Sequence, residues 1–168
     1  MAKLKSGVSA LACAAAVLFA VIAFLMLCAP AVGYTVMGSE ISYSGAQVTF
    51  GYTEVTEVLG HEVRSEILSF SFANLLIYIL LLAGIVFAVL SVLGKLEKVS
   101  PLISALCLLV AAILFFCSKN FCNPANIENA DLVAEFRNNL SLGAGAIVGG
   151  IFSLLACLAV GVSKFIKR

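Results

Sequence analysis

Apolar residues run without a charge through four long stretches of this chain, and polar residues gather between them. The stretches, at about residues 7–28, 72–94, 101–118 and 141–163, contain no Asp, Glu, Lys, Arg or His. At a rise of 1.5 Å per residue, about 20 residues cross a hydrocarbon core of about 30 Å. The pattern predicts four membrane spans, the third short enough to run near the bilayer normal. Each is expected to be helical, because lipid offers no partner to an open backbone. The expected fold is therefore all-α and transmembrane, a four-helix bundle forming one integral membrane domain over residues 1–168. Outer loops fall at 29–71 and 119–140.

The first outer loop changes period. Tyr34-Thr35-Val36-Met37 and Ile41-Ser42-Tyr43-Ser44 read as strands with Gly38-Ser39 as a turn between them. From Gln47 to Val55 the alternation places Val48, Phe50 and Tyr52 on one face of a strand. The prediction is a small extracytoplasmic antiparallel β-meander of two or three strands, followed by a helical approach over Glu57 to Ser71. So small a sheet is marginal alone and must rest its apolar face on something. In the second loop Asn123-Pro124 suggests a helix start. Leu132, Val133, Phe136 and Leu140 then form an apolar stripe that can serve as the floor of the meander or run directly into the fourth span.

Charge orients this arrangement. Lys3 and Lys5, the turn Lys95, Glu97 and Lys98, and the tail Lys164, Lys167 and Arg168 carry a net +6, and hold seven of the ten basic residues. The first loop nets −4 and the second −1. The positive-inside rule then puts both termini in the cytoplasm of a multi-pass protein of the cell membrane. Residues 1–31 have some features of a secretory signal, ending in Ala29-Pro30-Ala31. Their apolar run exceeds the usual 7–15 residues, so a retained span is expected.

Small residues recur every fourth position in the last span, at Gly145, Gly149, Ser153, Cys157 and Gly161. Ala12, Ala16 and Ala20 do the same in the first. Such positions let helix backbones approach closely in lipid, so the first and fourth spans are expected to touch along them.

Candidate chemistry is sparse. No span carries an ionisable side chain other than thiols and Tyr78, which counts against a pump, a proton-coupled carrier or a voltage sensor. His61 is the single histidine and no cofactor, metal or nucleotide motif is present, so neither cofactor nor nucleic-acid partner is expected. Cys13, Cys107 and Cys157 share one depth and read as small packing residues. Cys28, Cys117 and Cys122 lie near the oxidising face, where a structural bridge between two of them is open. A thiol–disulfide enzyme would use the same three, although Cys117 and Cys122 lack the Cys-x-x-Cys spacing. A solute or lipid carrier would use Asn74 and Tyr78 as polar contacts.

In layout the chain resembles claudin-type four-span proteins, with a strand-bearing first loop, a tight cytoplasmic turn and a shorter second loop. The Trp residues and Cys pair of that family's first loop have no counterpart in 29–71, so claudin pore or barrier activity is not carried over. The stretch Tyr43-Ser44-Gly45-Ala46-Gln47-Val48-Thr49-Phe50-Gly51 resembles that of small uncharacterised four-span membrane proteins of Gram-positive bacteria, a likeness that implies no activity. The expected function is that of a non-enzymatic accessory or interaction subunit. It binds a membrane or surface protein, or a second copy of itself, through Tyr43, Val48, Phe50, Tyr52, Leu132 and Phe136.

Overall fold

The computed structural model describes residues 2–36, 38–58, 61–93 and 99–167. In chain order the elements are α1 (Ala2–Leu25), a 3₁₀ turn (Met26–Cys28), β1 (Pro30–Val36), β2 (Ser39–Ser44), α2 (Gly45–Phe50), β3 (Tyr52–Val58) and β4 (His61–Ser69). Then follow α3 (Phe72–Val92), α4 (Ser100–Phe116), a second 3₁₀ turn (Ser118–Phe121), β5 (Asn123–Pro124), α5 (Ala130–Asn139), β6 (Ser141–Leu142) and α6 (Ala144–Lys167). The charged turn Lys95–Lys98 lies outside the described residues. Two compact units result. A helical unit takes residues 1–25, 76–115 and 148–168, and a mixed unit takes 26–75 and 116–147.

Three helices are long and apolar enough to cross a membrane, at Gly7–Cys28, Phe72–Val92 and Ala144–Lys164. α4 is apolar throughout but has only 17 residues. Within the helical unit the polar side chains donate across helix pairs. Ser104 Oγ donates to Gly84 O on α3 at 2.7 Å, and Ser100 Oγ donates to Phe87 O. Ser153 Oγ of α6 donates to Leu108 O of α4 at 2.7 Å, and Cys157 Sγ to Ala105 O at 3.3 Å. Gly149 sits against the Phe115 ring, which would lie 2.8 Å from a Cβ there.

The small-residue face of α6 therefore packs on α4, where the sequence pattern suggested the first span. α1 does meet α6, through other residues. Ser9 Oγ donates to Ser163 O at 3.3 Å, Cys13 Sγ donates to Ser163 Oγ at 3.1 Å, and Phe19 and Phe152 have centroids 5.8 Å apart. Ala16 and Ala20 are buried and Ala12 is half-buried. Among the described residues nothing approaches the Cβ position of Gly161, and Gly145 faces Ala29 and Pro30 of the mixed unit to which it belongs.

The mixed unit holds two antiparallel three-stranded sheets, ordered β2-β1-β6 and β3-β4-β5, in place of one meander. The expected strand from Gln47 to Val55 is broken by α2. Ser44 and Gln47 form a capping box, with Gln47 N donating to Ser44 Oγ at 3.3 Å and Ser44 N to Gln47 Oε1 at 2.8 Å. That reciprocal pair starts a helix where alternation alone predicts a strand. Gly51 ends it at φ +93°, and a Cβ there would stand 2.8 Å from Leu68 O, so only glycine fits without strain.

The expected helical approach over 57–71 is also overturned. His61–Ser69 is strand β4, paired with β3 from Tyr52↔Leu68 to Val58↔His61. Asn123-Pro124 forms the two-residue β5 at the sheet edge, where proline costs no ladder bond. The helix expected there starts at Ala130, with Asn129 Oδ1 accepting from Asp131 N at 2.9 Å. α5 does not run into α6, because Ser141 and Leu142 pair with Gly33 and Val32 of β1. Gly143 then packs its backbone on Pro30 and donates to Ala31 O at 2.8 Å. The core of this unit is Ala31, Val32, Val48, Leu68, Cys122, Leu140 and Ala146.

Candidate interaction surface

The predicted partner-binding residues divide into two groups. Val48 is 2% exposed and belongs to the core, so it presents nothing to a partner. The one-faced set Val48, Phe50 and Tyr52 does not exist, because α2 turns Val48 inward and Phe50 outward. Tyr43 and Tyr52 are half-buried, with ring centroids 5.9 Å apart. Burial pushes the Tyr43 phenol above its ordinary range, helped by the nearby Glu54 carboxylate and Tyr52. Phe136 lies 5.9 Å from Tyr34 of β1, ring to ring, so α5 leans on β1. Phe50, at 60% exposure, and Leu132, at 52%, remain open on the surface.

The three outer cysteines, for which a bridge was one open reading, are free. Cys28 is exposed, Cys117 half-buried and Cys122 buried. Cys122 Sγ points at Ser118 O, 3.9 Å away, and Arg137 fastens the same segment through Nε to Cys122 O at 2.9 Å and Nη2 to Asn123 Oδ1 at 3.0 Å. Burial pushes the Cys122 thiol up to about 12, against a smaller lowering by Arg137. The thiolate is the attacking species in disulfide exchange, so Cys122 is chemically quiet at neutral pH. Asn74, the proposed carrier contact, is buried. Its amide donates to Ser71 Oγ at 3.2 Å, and Ser71 donates to Phe121 O at 2.7 Å. Tyr78, its companion, is buried in the helical unit between the rings of Phe24 and Phe115.

The feature that sequence reading missed is the ribbon made by β3 and β4. Residues 53–57 and 61–66 are exposed on both strands, and therefore on both faces. Directly opposed pairs on one face are Thr53/Glu66, Val55/Arg64 and Glu57/Glu62; on the other they are Glu54/Ser65 and Thr56/Val63. The ribbon carries four glutamates and one arginine, Arg64, which lies 3.4 Å from Glu62. Its base is anchored. β5 pairs with Leu68 and Ser69, Ala125 N donates to Ile67 O at 3.0 Å, and Asn126 Nδ2 donates to Glu66 O at 3.5 Å. Beyond Glu66 the outer edge of β4 meets no further strand among the described residues. The signal was present as charges at every second position, Glu62, Arg64 and Glu66, a strand period rather than a helical one.

Comparison with protein-family models, with curated proteins and with solved structures yields no match.

Proposed function

We propose that this chain is a non-enzymatic multi-pass protein of the cell membrane, a four-helix transmembrane bundle with both termini in the cytoplasm. In this reading its mixed unit stands on the extracytoplasmic side and binds another protein, or a second copy of this chain, as an accessory or interaction subunit. Hydropathy supports four crossings, with α4 as the short one. The distribution of Lys and Arg supports the orientation.

The observation that carries the binding role is the ribbon. A two-stranded hairpin exposed on both faces buries too little to be stable by itself, yet this one extends five residues, His61 to Ser65, past its last hydrogen bond to the 123–126 segment, at Glu66. Its unpaired edges, and separately the exposed Phe50 and Leu132, are what a partner would cover. Purification from native membranes in mild detergent, followed by mass spectrometry of the intact assembly, tests the reading. A stoichiometric complex that is lost in the pair Phe50→Ser and Leu132→Ser, with the spans still inserted, supports it. A monomer in wild type overturns it.

A further inference from the structure

Resting on that reading, we propose that the partner at the ribbon is a second copy of this chain, joined antiparallel along the outer edge of β4 about a two-fold axis at Val63. Among the described residues the outer edge from His61 to Ser65 pairs with no strand, and strand addition is how such edges are commonly closed.

The sequence of the edge selects the register. In a symmetric antiparallel pair each residue faces its mirror about the axis, and opposed residues share a face. Centred on Val63, the pairing sets His61 against Ser65, Val63 against Val63, and Glu62 against Arg64 of the other copy, twice. Centred on Arg64, it would set arginine against arginine and Glu62 against Glu66. Centred on Glu62, it would oppose two glutamates. Centred on Ser65, it would again pair Glu66 with Arg64, but Ile67 O and Glu66 O already accept from Ala125 N and Asn126 Nδ2. The outer edge of β3 has no cation, since Thr53-Glu54-Val55-Thr56-Glu57 brings only carboxylates to the seam.

The isolated ribbon also carries a flaw that this pairing offsets. Glu57 and Glu62 face each other across the ladder, and like charges directly opposed are destabilising. The second copy's Arg64 would flank Glu62 on its other side and on the same face, completing a Glu57–Glu62–Arg64 row across the seam.

The test uses the full chain in its native membrane with Cys28→Ser and Val63→Cys. Opposed residues at such a seam have Cα atoms about 4.5–5.5 Å apart, within disulfide reach. Mild oxidation is expected to give a covalent homodimer. Val55→Cys, three strand spacings across and two residues along from its mate, about 16 Å away, is expected to give none. Arg64→Glu in the Val63→Cys background is expected to cut the dimer about tenfold or more, and adding Glu62→Arg to restore it. Cross-linking at Val55 and not Val63, or failure of the double charge exchange to rescue, overturns the proposal. A photo-reactive residue at position 63 separates the two levels. Capture of a different protein with no self-product overturns self-pairing and leaves the accessory reading standing; capture of nothing, with a monomer by native mass, overturns both.

Discussion

Glu57 faces Glu62 directly across β3 and β4, near the end of a ribbon that water reaches on both sides. Two carboxylates so placed repel, and the neighbouring Arg64 answers only Glu62. Glu57→Lys would turn the opposition into a cross-strand attraction. The backbone amides of β3 and β4 are expected to exchange with solvent about two- to fivefold more slowly in that variant. Hydrogen exchange read by mass spectrometry on ribbon peptides checks it, and unchanged exchange would show that the opposed carboxylates do not limit ribbon stability.

Gly51 joins α2 to β3 at φ +93°, with Leu68 O where a Cβ would go. Gly51→Ala combines an unfavourable backbone conformation with a contact to main chain that cannot swing aside. A loss of roughly 1–3 kcal/mol is expected, visible as a lower Tm in detergent. Ser44→Ala, which removes only the hydroxyl that accepts from Gln47 N, is expected to cost about 1 kcal/mol.

Cys122 gives the mixed unit a dependence on alkaline pH. Its thiol is neutral when protonated, and folding raises its pKa from 9.0 to about 12. The folded state thus holds the proton more tightly than the unfolded chain. The stability linked to it is fully present below about pH 9 and is lost as pH climbs towards 12. Thermal melts from pH 8 upward are expected to fall more steeply for wild type than for Cys122→Ala. At neutral pH, alkylation followed by intact mass should label the exposed Cys28 first and Cys122 only on unfolding.

Arg137 ties α5 to the segment around Cys122 with two hydrogen bonds, one to backbone and one to the Asn123 amide oxygen. Arg137→Ala leaves both acceptors half-buried without their donor. A cost of about 1–3 kcal/mol is expected, with proteolysis appearing first in residues 130–139. Arg137→Lys restores the charge but not the fork, and is expected to recover only part of the loss.

In the helical unit, Gly149 and Ser153 can be separated. Gly149→Leu forces a branched side chain into the Phe115 ring and is expected to destabilise by about 1–3 kcal/mol. Ser153→Ala removes only the bond to Leu108 O, and bonds of this kind between helices in lipid average about 0.6 kcal/mol. Unfolding titrations in mixed detergent rank the two.

The four apolar stretches were legible as helices, three of them long and apolar enough to cross a membrane, because a charge-free run of that length has few other uses. Their neighbours were not. The small-residue face of α6 was visible as a pattern, but a pattern does not say whether α1 or α4 fills it, and Phe115 and the carbonyl of Leu108 decided that. In the first loop the alternation at Val48, Phe50 and Tyr52 imitated a strand. The competing signal, Ser44 three residues before Gln47, is local and outweighed it. β4 read as a helix because neither face is buried, which removes the apolar alternation that marks most strands. β5 and β6, two residues each, leave no pattern at all. Of the surface residues chosen from sequence, Phe50 and Leu132 face outward, while Val48 was claimed by the core that its own neighbours build.

Apart from the bond from Cys13 to the Ser163 hydroxyl, the hydrogen bonds between helices named above have a common grammar. Ser9, Ser100, Ser104, Ser153 and Cys157 each give a proton to a main-chain carbonyl on another helix. A carbonyl is supplied by every residue type, so the accepting helix is indifferent to which side chain stands at Phe87, Ala105 or Leu108 as far as the bond is concerned. The lateral order of the helices is thus written in a handful of donor positions, and the acceptors are anonymous. Two chains could share this architecture and differ at nearly every outward-facing position, their kinship visible in the spacing of a few hydroxyls and thiols and hidden from comparison of whole sequences.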